Sequence, residues 1–142
     1  MNIVRRHERG AFPRLGDGLL LAASLFLYVR TLAPTILPAD SGEFQLVSYV
    51  LGIAHPPGYP LYTMLGKLCT LIPLRDVAYR VNLLSAITSA LTLLVLARIV
   101  RRLTGSGIAG VVAAAVLGVA PTFWAQATTA NFFRLFGAAS RA

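Results

Sequence analysis

Charged side chains are scarce in this sequence. Only 13% of its 142 residues are charged, and just five of them are acidic. A soluble domain usually has about a quarter of its residues charged. The deficit accompanies a hydrophobic content of 56% and a mean hydropathy of +0.70. This composition argues against a soluble globular domain and predicts a protein whose main partner is the lipid bilayer.

Cysteine and the common cofactor motifs are also nearly absent. Cys69 is the only cysteine, so no intrachain disulfide can form and the redox compartment cannot be read. The sequence has no CxxC pair, no His/Cys cluster and no glycine-rich phosphate loop, so we expect no nucleotide cofactor. The net charge of +8 does not indicate nucleic acid, because the basic residues cluster beside apolar runs instead of alternating with aromatic residues.

Three long apolar runs are present, at residues 15–33, 83–100 and 107–126. A hydrocarbon core about 30 Å thick needs about 20 mostly apolar residues in a helix, and each run approaches that length. We therefore predict an all-α membrane protein with three transmembrane helices. Two short interfacial helices are expected between the first two spans.

Clusters of arginine predict the orientation of these spans. One cluster lies before the first span, and another closes the second span at Arg98, Arg101 and Arg102. Basic residues favour the cytoplasmic side of a membrane, so both clusters are expected there; in a bacterium this would be the cytoplasmic membrane. The flanking segments are then a cytoplasmic N-terminus (1–14), an outer loop (34–82), a cytoplasmic loop (101–106) and an outer tail (127–142).

A cleaved signal peptide is the alternative interpretation of the first run. A basic start, the apolar stretch 19–27 and the letters TLA would fit it. Pro34 would directly follow such a cleavage site, which disfavours this alternative.

The outer loop contains two helical patterns separated by the stretch AHPPGYP at 54–60. Residues 41–51 predict a short helix that stops at Gly52, a typical C-terminal glycine. Pro60 is well placed to begin a second helix. Its apolar residues fall on one stripe, so we expect it to lie in the membrane interface or on top of other helices. The stripe consists of Leu61, Met64, Leu65, Leu68 and Ile72.

Small residues recur at four-residue spacing in the third run, at Gly110, Ala114 and Gly118. Small residues on one face allow membrane helices to approach closely. We expect this face to pack against another helix of the chain or against further membrane helices.

Asp40 and Glu43 are two of the five acidic residues, and they lie three positions apart in the motif DSGE. As an N-cap and N3 pair they resemble a capping box. Positions i and i+3 also share a helix face, so both carboxylates could enter one site. A partly desolvated carboxylate has a raised proton affinity and can act as a general base, or the pair can hold a divalent cation. Both interpretations remain open.

The order of motifs resembles a known family. TLAPT, ADSGEF, LGIAHPPGYPLY, NLLSA and PTFWAQATTA follow one another between residues 31 and 130. This pattern is similar to the N-terminal region of multi-spanning membrane proteins related to protein O-mannosyltransferases, of the GT-C class of glycosyltransferases. The resemblance implies a GT-C-like helix bundle with an acidic residue in its first outer loop. Asp40 matches that position, with Glu43 second.

The same resemblance implies the reaction. The donor would be a polyprenyl-phosphate sugar, and the acceptor a hydroxyl of a protein side chain or a glycan. Asp40 would deprotonate that hydroxyl, which attacks the anomeric carbon while the lipid phosphate leaves.

Three further residues are candidates for binding the substrate or the lipid phosphate: His55, Tyr59 and Arg80. His55 could contact the donor phosphate or complete a metal site, or could be a hydrogen-bonded hinge. Arg80 could donate to the lipid phosphate or only anchor the second span at the interface. Asn82 is interpreted as the N-cap of that span.

The chain also departs from the family pattern. The family usually has an aromatic residue before the acidic motif, where this chain has residues 37–39 as Leu-Pro-Ala. After Ala130 the family continues with an acidic residue and further spans, whereas this sequence reads NFFRLFGAASRA. We therefore expect a truncated or frameshifted continuation from Asn131, further membrane helices as partners, and no activity of this chain alone.

Two other functions are considered. One is a non-catalytic membrane scaffold or partner subunit that uses the face of Gly110, Ala114 and Gly118. The other is a transporter fragment, which is disfavoured because no acidic residue lies at a predicted midplane.

Overall fold

A computed structural model describes residues 12–36, 40–56 and 58–130, except for the side chains of residues 12–14 and 40. The described residues form helices and connecting loops without a strand, which confirms the all-α prediction. The helices are α1 (Phe12–Arg30), α2 (Asp40–Val50), α3 (Pro60–Thr70), α4 (Val77–Thr104), α5 (Gly107–Val119) and α6 (Pro121–Thr128).

The central helix is α4, and each of the other five packs against it. Its first turn is capped by Asp76, whose carboxylate accepts a hydrogen bond from the Tyr79 amide. Its last turn ends at Gly105, whose φ of 70° suits glycine. With 28 residues, α4 is about 42 Å long at about 1.5 Å per residue. The N-cap prediction for Asn82 is wrong, because the helix begins five residues earlier and buries Asn82 completely.

By length and composition, α4 is the one helix of the described residues that alone could cross a membrane. The pair α5 and α6 also qualifies if it forms one span, but its two helices meet at an angle of 73°. The bend lies at Ala120, whose ψ of 130° is extended. Proline lacks an amide hydrogen and disfavours helical geometry in the residue before it, so Pro121 accounts for the break.

The small-residue face of α5 packs against this same chain. The buried residues of α5 are Gly110, Ala114 and Gly118. Gly110 lies directly against the Ala97 carbonyl of α4, and Gly118 lies against Leu93. The expectation of close packing within the chain is met. A scaffold that binds partners through this face would first have to separate α5 from α4.

Polar contacts attach α1 to the other helices near both of its ends. The Tyr28 hydroxyl is buried and donates to the Gly118 carbonyl at 2.9 Å. Near the other end, the Asp17 carboxylate accepts from the Arg98 Nε at 2.9 Å and from both terminal nitrogens of Arg101 at 2.9 and 3.0 Å. Asp17 is 8% exposed, and a buried carboxylate needs such partners. These contacts fix α1 along α4 and α5.

Helices α2 and α3 form a layer across the first part of α4. Helix α2 ends at Val50, and the left-handed residue that follows is Leu51 (φ 55°), one position before the glycine predicted for that role. Helix α3 begins at Pro60, as predicted.

Helix α3 buries its small and polar face and exposes its apolar face, the reverse of a surface helix in a soluble protein. Its buried residues are Thr63, Gly66 and Thr70. Leu61, Met64 and Leu68 of the apolar stripe are each more than 60% exposed. A small, hydroxyl-bearing face inside and large apolar residues outside are typical of a helix that contacts lipid or further apolar helices.

Candidate functional site

Glu43 and His55 form a hydrogen-bonded pair between α2 and the loop that follows it. The His55 backbone amide donates to Glu43 Oε1 at 2.7 Å, and the imidazole Nδ1 lies 2.8 Å from Oε2. An ionised carboxylate can only accept hydrogen bonds, so Nδ1 carries the proton of this contact. The two side chains are 38% and 37% exposed. The pair is therefore formed at the surface of the α2–α3 layer.

An aromatic cluster packs beside the His55 side of this pair. Phe44 is fully buried, and its ring centroid lies 5.7 Å from that of His55, 5.4 Å from Tyr59 and 5.2 Å from Tyr62. The His55 and Tyr59 rings also meet, at 5.7 Å. Tyr59 adopts the left-handed conformation (φ 43°) immediately before α3, which turns the chain back toward α2. Tilted and edge-to-face ring contacts of this kind are favourable, and they hold the imidazole in place.

The backbone of Asp40 begins α2, one helical turn before Glu43. Its side chain lies outside the described part, so the general-base role predicted for Asp40 stays a prediction. The capping box predicted that Glu43 would bond to the start of its own helix. Instead, both of its carboxylate oxygens accept hydrogen bonds from His55. Glu43 thus joins the start of α2 to the loop, 12 residues further along the chain.

The described residues give no further support for a divalent cation. Among residues 12–36, 40–56 and 58–130, no three His, Cys, Asp or Glu side chains are grouped as a metal site would require. A cation at Glu43 would compete with the two hydrogen bonds from His55. The cation predicted at Asp40 and Glu43 stays a prediction.

Arg80 lies in the first turns of α4 and donates to the connection between α3 and α4. Its guanidinium Nη1 donates to the Thr70 carbonyl at 2.9 Å and Nη2 to the Arg75 carbonyl at 2.7 Å, while Nε donates to the Leu74 carbonyl. The first of these bonds satisfies the last carbonyl of α3, and the other two satisfy carbonyls of the connection to α4. These bonds use three of the five N–H donors of the guanidinium, which favours a structural role for Arg80.

Asn82 is a buried polar residue beside α2, and the sequence did not identify it as part of a site. The Asn82 amide contacts Gln45 of α2, Ala33 of the preceding loop and Ala130 after α6. An uncharged amide inside a long apolar run is the signal that could have identified it, because a buried amide must find hydrogen-bond partners.

The Glu43–His55 contact should contribute stability that is lost at acid pH. Hydrogen bonds from the imidazole and from the backbone amide of His55 hold the pKa of the Glu43 carboxyl below its ordinary value of 4.5. A carboxyl with a lowered pKa in the folded state contributes stability above its unfolded pKa and loses it as the pH falls through the folded value. Glu43→Gln should therefore destabilise the protein at near-neutral pH, and the difference from wild type should vanish in strong acid.

Unfolding in detergent micelles, followed over a pH series for both proteins, checks this prediction. Asp76→Asn is the matched control, because that carboxylate caps α4 without a histidine partner. A Glu43→Gln difference that does not change below a pH of about 4 would contradict the assigned contact.

Comparison with known proteins identifies the family. Residues 40–137, more than half of the chain, match the family model described as the protein O-mannosyl-transferase TMEM260 N-terminal domain. The protein O-mannosyl-transferase TMEM260 of Mus musculus is 39% identical over 141 residues, which cover 91% of this chain and 20% of that relative. The corresponding protein of Dictyostelium discoideum is 28% identical over 109 residues, which cover 75% of this chain and 13% of that relative.

The chain thus spans about a fifth or less of the length of these curated relatives. No solved structure matches it. The matched region contains α2, the Glu43–His55 pair, the aromatic cluster and Asn82, which are the elements that build the candidate site. On the extent of this match, the chain belongs to the TMEM260 N-terminal domain family of protein O-mannosyl-transferases.

Proposed function

We propose that this chain supplies the N-terminal portion of a membrane-embedded glycosyltransferase. The enzyme transfers mannose from a polyprenyl-phosphate donor to a hydroxyl of a protein acceptor on the outer face of the membrane. The names of the relatives support the sugar and the acceptor class. The observation that carries the proposal for this chain is the Glu43–His55 pair, one helical turn after Asp40 in α2.

In the proposed reaction Asp40 is the general base. It accepts the proton of the acceptor hydroxyl while that oxygen forms a bond to the anomeric carbon of mannose. The bond between the anomeric carbon and the phosphate oxygen breaks, and polyprenyl phosphate leaves with both electrons of that bond. General-base assistance of this kind contributes about 100-fold to 10,000-fold in rate.

Glu43 and His55 have a different role in this proposal. The carboxylate accepts from the imidazole Nδ1 and so orients the ring. His55, held in this orientation, is proposed to contact the donor phosphate. Tyr59, whose ring packs on that of His55, lies beside it and is proposed to contact the sugar or the phosphate.

The proposed membrane arrangement has three crossings, made by α1, by α4 and by α5 with α6, and an N-terminus in the cytoplasm. Helix α4 supports it by its length and apolar composition. The exposed apolar faces of α2 and α3 support contact with lipid or with further helices. Because the chain covers about a fifth of the mouse relative, we assign transfer to a larger helix bundle that includes this portion.

A chimera tests the proposal. Residues 12–130 replace the aligned N-terminal segment of the mouse relative, and mannose transfer to a protein acceptor is measured in membranes with polyprenyl-phosphate mannose. We expect transfer from this donor and none from the nucleotide sugar GDP-mannose. A chimera that inserts and folds as the parent does, yet transfers no mannose, would refute the proposal.

A further inference from the structure

Asn82 joins three segments that are far apart in the sequence. Its side chain is fully buried in α4. Its Nδ2 donates to the Ala33 carbonyl at 2.9 Å, and its Oδ1 accepts from Gln45 Nε2 at 3.0 Å and from the Ala130 amide at 2.8 Å. One side chain therefore links the loop before α2, α2 itself and the segment after α6 to α4.

The hydrogen-bonding groups of these partners determine where the oxygen and the nitrogen of the Asn82 amide lie. A backbone amide can only donate and a backbone carbonyl can only accept. Ala130 therefore requires the oxygen of Asn82, and Ala33 requires its nitrogen. Gln45 must then present its own nitrogen to the same oxygen. No other residue of similar size can replace asparagine here, because aspartate lacks the donor and leucine lacks both groups.

The linked segments are those that carry the proposed site. Gln45 lies in α2 five residues after Asp40 and two after Glu43. A second hydrogen bond holds the loop before α2. The Ala33 amide donates to the Thr128 carbonyl at the end of α6, at 3.0 Å. Movement of the first turns of α2 relative to α4 would break the hydrogen bond between Gln45 and Asn82. Both side chains are buried, so water competes little for this bond.

We propose that Asn82 is a positioning residue that holds the acidic start of α2 against α4 and against the end of α6. Its effect on transfer rests on the proposed function, whereas its effect on the placement of α2 rests on the contacts alone. Displacement of a catalytic group by about 1 Å can lower a rate about 100-fold, so a side chain that fixes α2 can control the rate without contacting the substrate.

Hydrogen exchange on the full chain in detergent micelles tests the placement. In Asn82→Ala the amides of residues 40–50 should exchange about tenfold faster or more, while those of α5 keep their protection. Gln45→Met is the milder variant, since it removes only the contact to α2 and leaves both backbone partners of Asn82 in place. Thr92→Val is the control on α4, because that hydroxyl bonds only within its own helix.

Unchanged exchange at residues 40–50 in both variants would overturn the proposal, and so would an equal loss of protection in α5. In the chimera, Gln45→Met should lower kcat about tenfold or more with little change in the KM for the donor. Unchanged kcat in an active chimera would also overturn it. A chimera without any transfer contradicts the proposed function, and the exchange experiment still decides the role of Asn82.

Discussion

Asp40→Asn in the chimera is expected to lower mannose transfer about 100-fold or more. Asparagine keeps the size and the hydrogen-bonding shape of the side chain but cannot accept a proton, so the contribution of general-base catalysis is lost. The KM for the donor should change little, because the proposed role belongs to the transition state. The measurement is the initial rate of transfer at saturating donor and acceptor.

The neighbouring acid provides the matched comparison. Glu43→Gln removes the carboxylate that orients His55 but leaves the proposed base in place, so we expect a smaller loss, on the order of tenfold. Rates are compared per amount of inserted protein, because Glu43→Gln is also expected to destabilise the chain. An Asp40→Asn chimera that transfers mannose at the parent rate would remove Asp40 from the proposed mechanism.

Gly110→Val is expected to destabilise the chain by about 3 kcal/mol, at the upper end of the usual cost of overpacking. A Cβ at this position would overlap the Ala97 carbonyl oxygen and lie 3.2 Å from its carbon and 3.4 Å from Arg101 Cβ. The obstacle is backbone of α4, which cannot rotate away as a side chain can. Helix α5 would have to separate from α4 and lose the packing of its small-residue face.

Gly107→Ala is the control for this variant. It lies in the same helix, and a Cβ there would meet no atom within 4 Å. We expect Gly107→Ala to leave stability unchanged or slightly higher, since alanine restricts the unfolded chain more than glycine does. Thermal unfolding of both variants in the same detergent gives the comparison. Equal stability of Gly110→Val and Gly107→Ala would contradict the close packing of α5 on α4.

Local chemistry predicted much of the secondary structure. Pro60 begins α3 because its fixed φ suits the first helical turn. The spacing of Gly110, Ala114 and Gly118 predicted the buried face of α5, since close approach requires small residues whatever the helix packs against. The break at Ala120 and Pro121 was also readable in principle, but the apolar run continues through it and concealed the bend.

The direction in which α3 faces could not be predicted from its periodicity. The pattern correctly separates a stripe of large apolar residues from a face with Thr63, Gly66 and Thr70. Whether the apolar stripe meets a protein core or lipid depends on the surroundings, which the pattern does not contain. In a bilayer, burial of the small, polar face is the favourable choice.

The contacts of the candidate site depend on residues distant in the sequence. Glu43 and His55 lie 12 positions apart, and the segment between them includes the end of α2 and Leu51, whose backbone is left-handed. Asn82 meets Ala130 across 48 positions. The sequence shows that these residues are polar in apolar surroundings, which marks them for partners, but it does not identify the partners.

The sidedness of the outer loop tests the central claim most directly. With Cys69 replaced by serine, a single cysteine is introduced at the exposed Thr35 or at the exposed Thr104, on either side of the crossing proposed for α4. A membrane-impermeant maleimide added from the outer face should label Thr35→Cys in intact vesicles and Thr104→Cys only after permeabilisation. Labelling of both without permeabilisation, or of Thr104→Cys alone, would contradict an acidic helix that serves mannose transfer on the outer face.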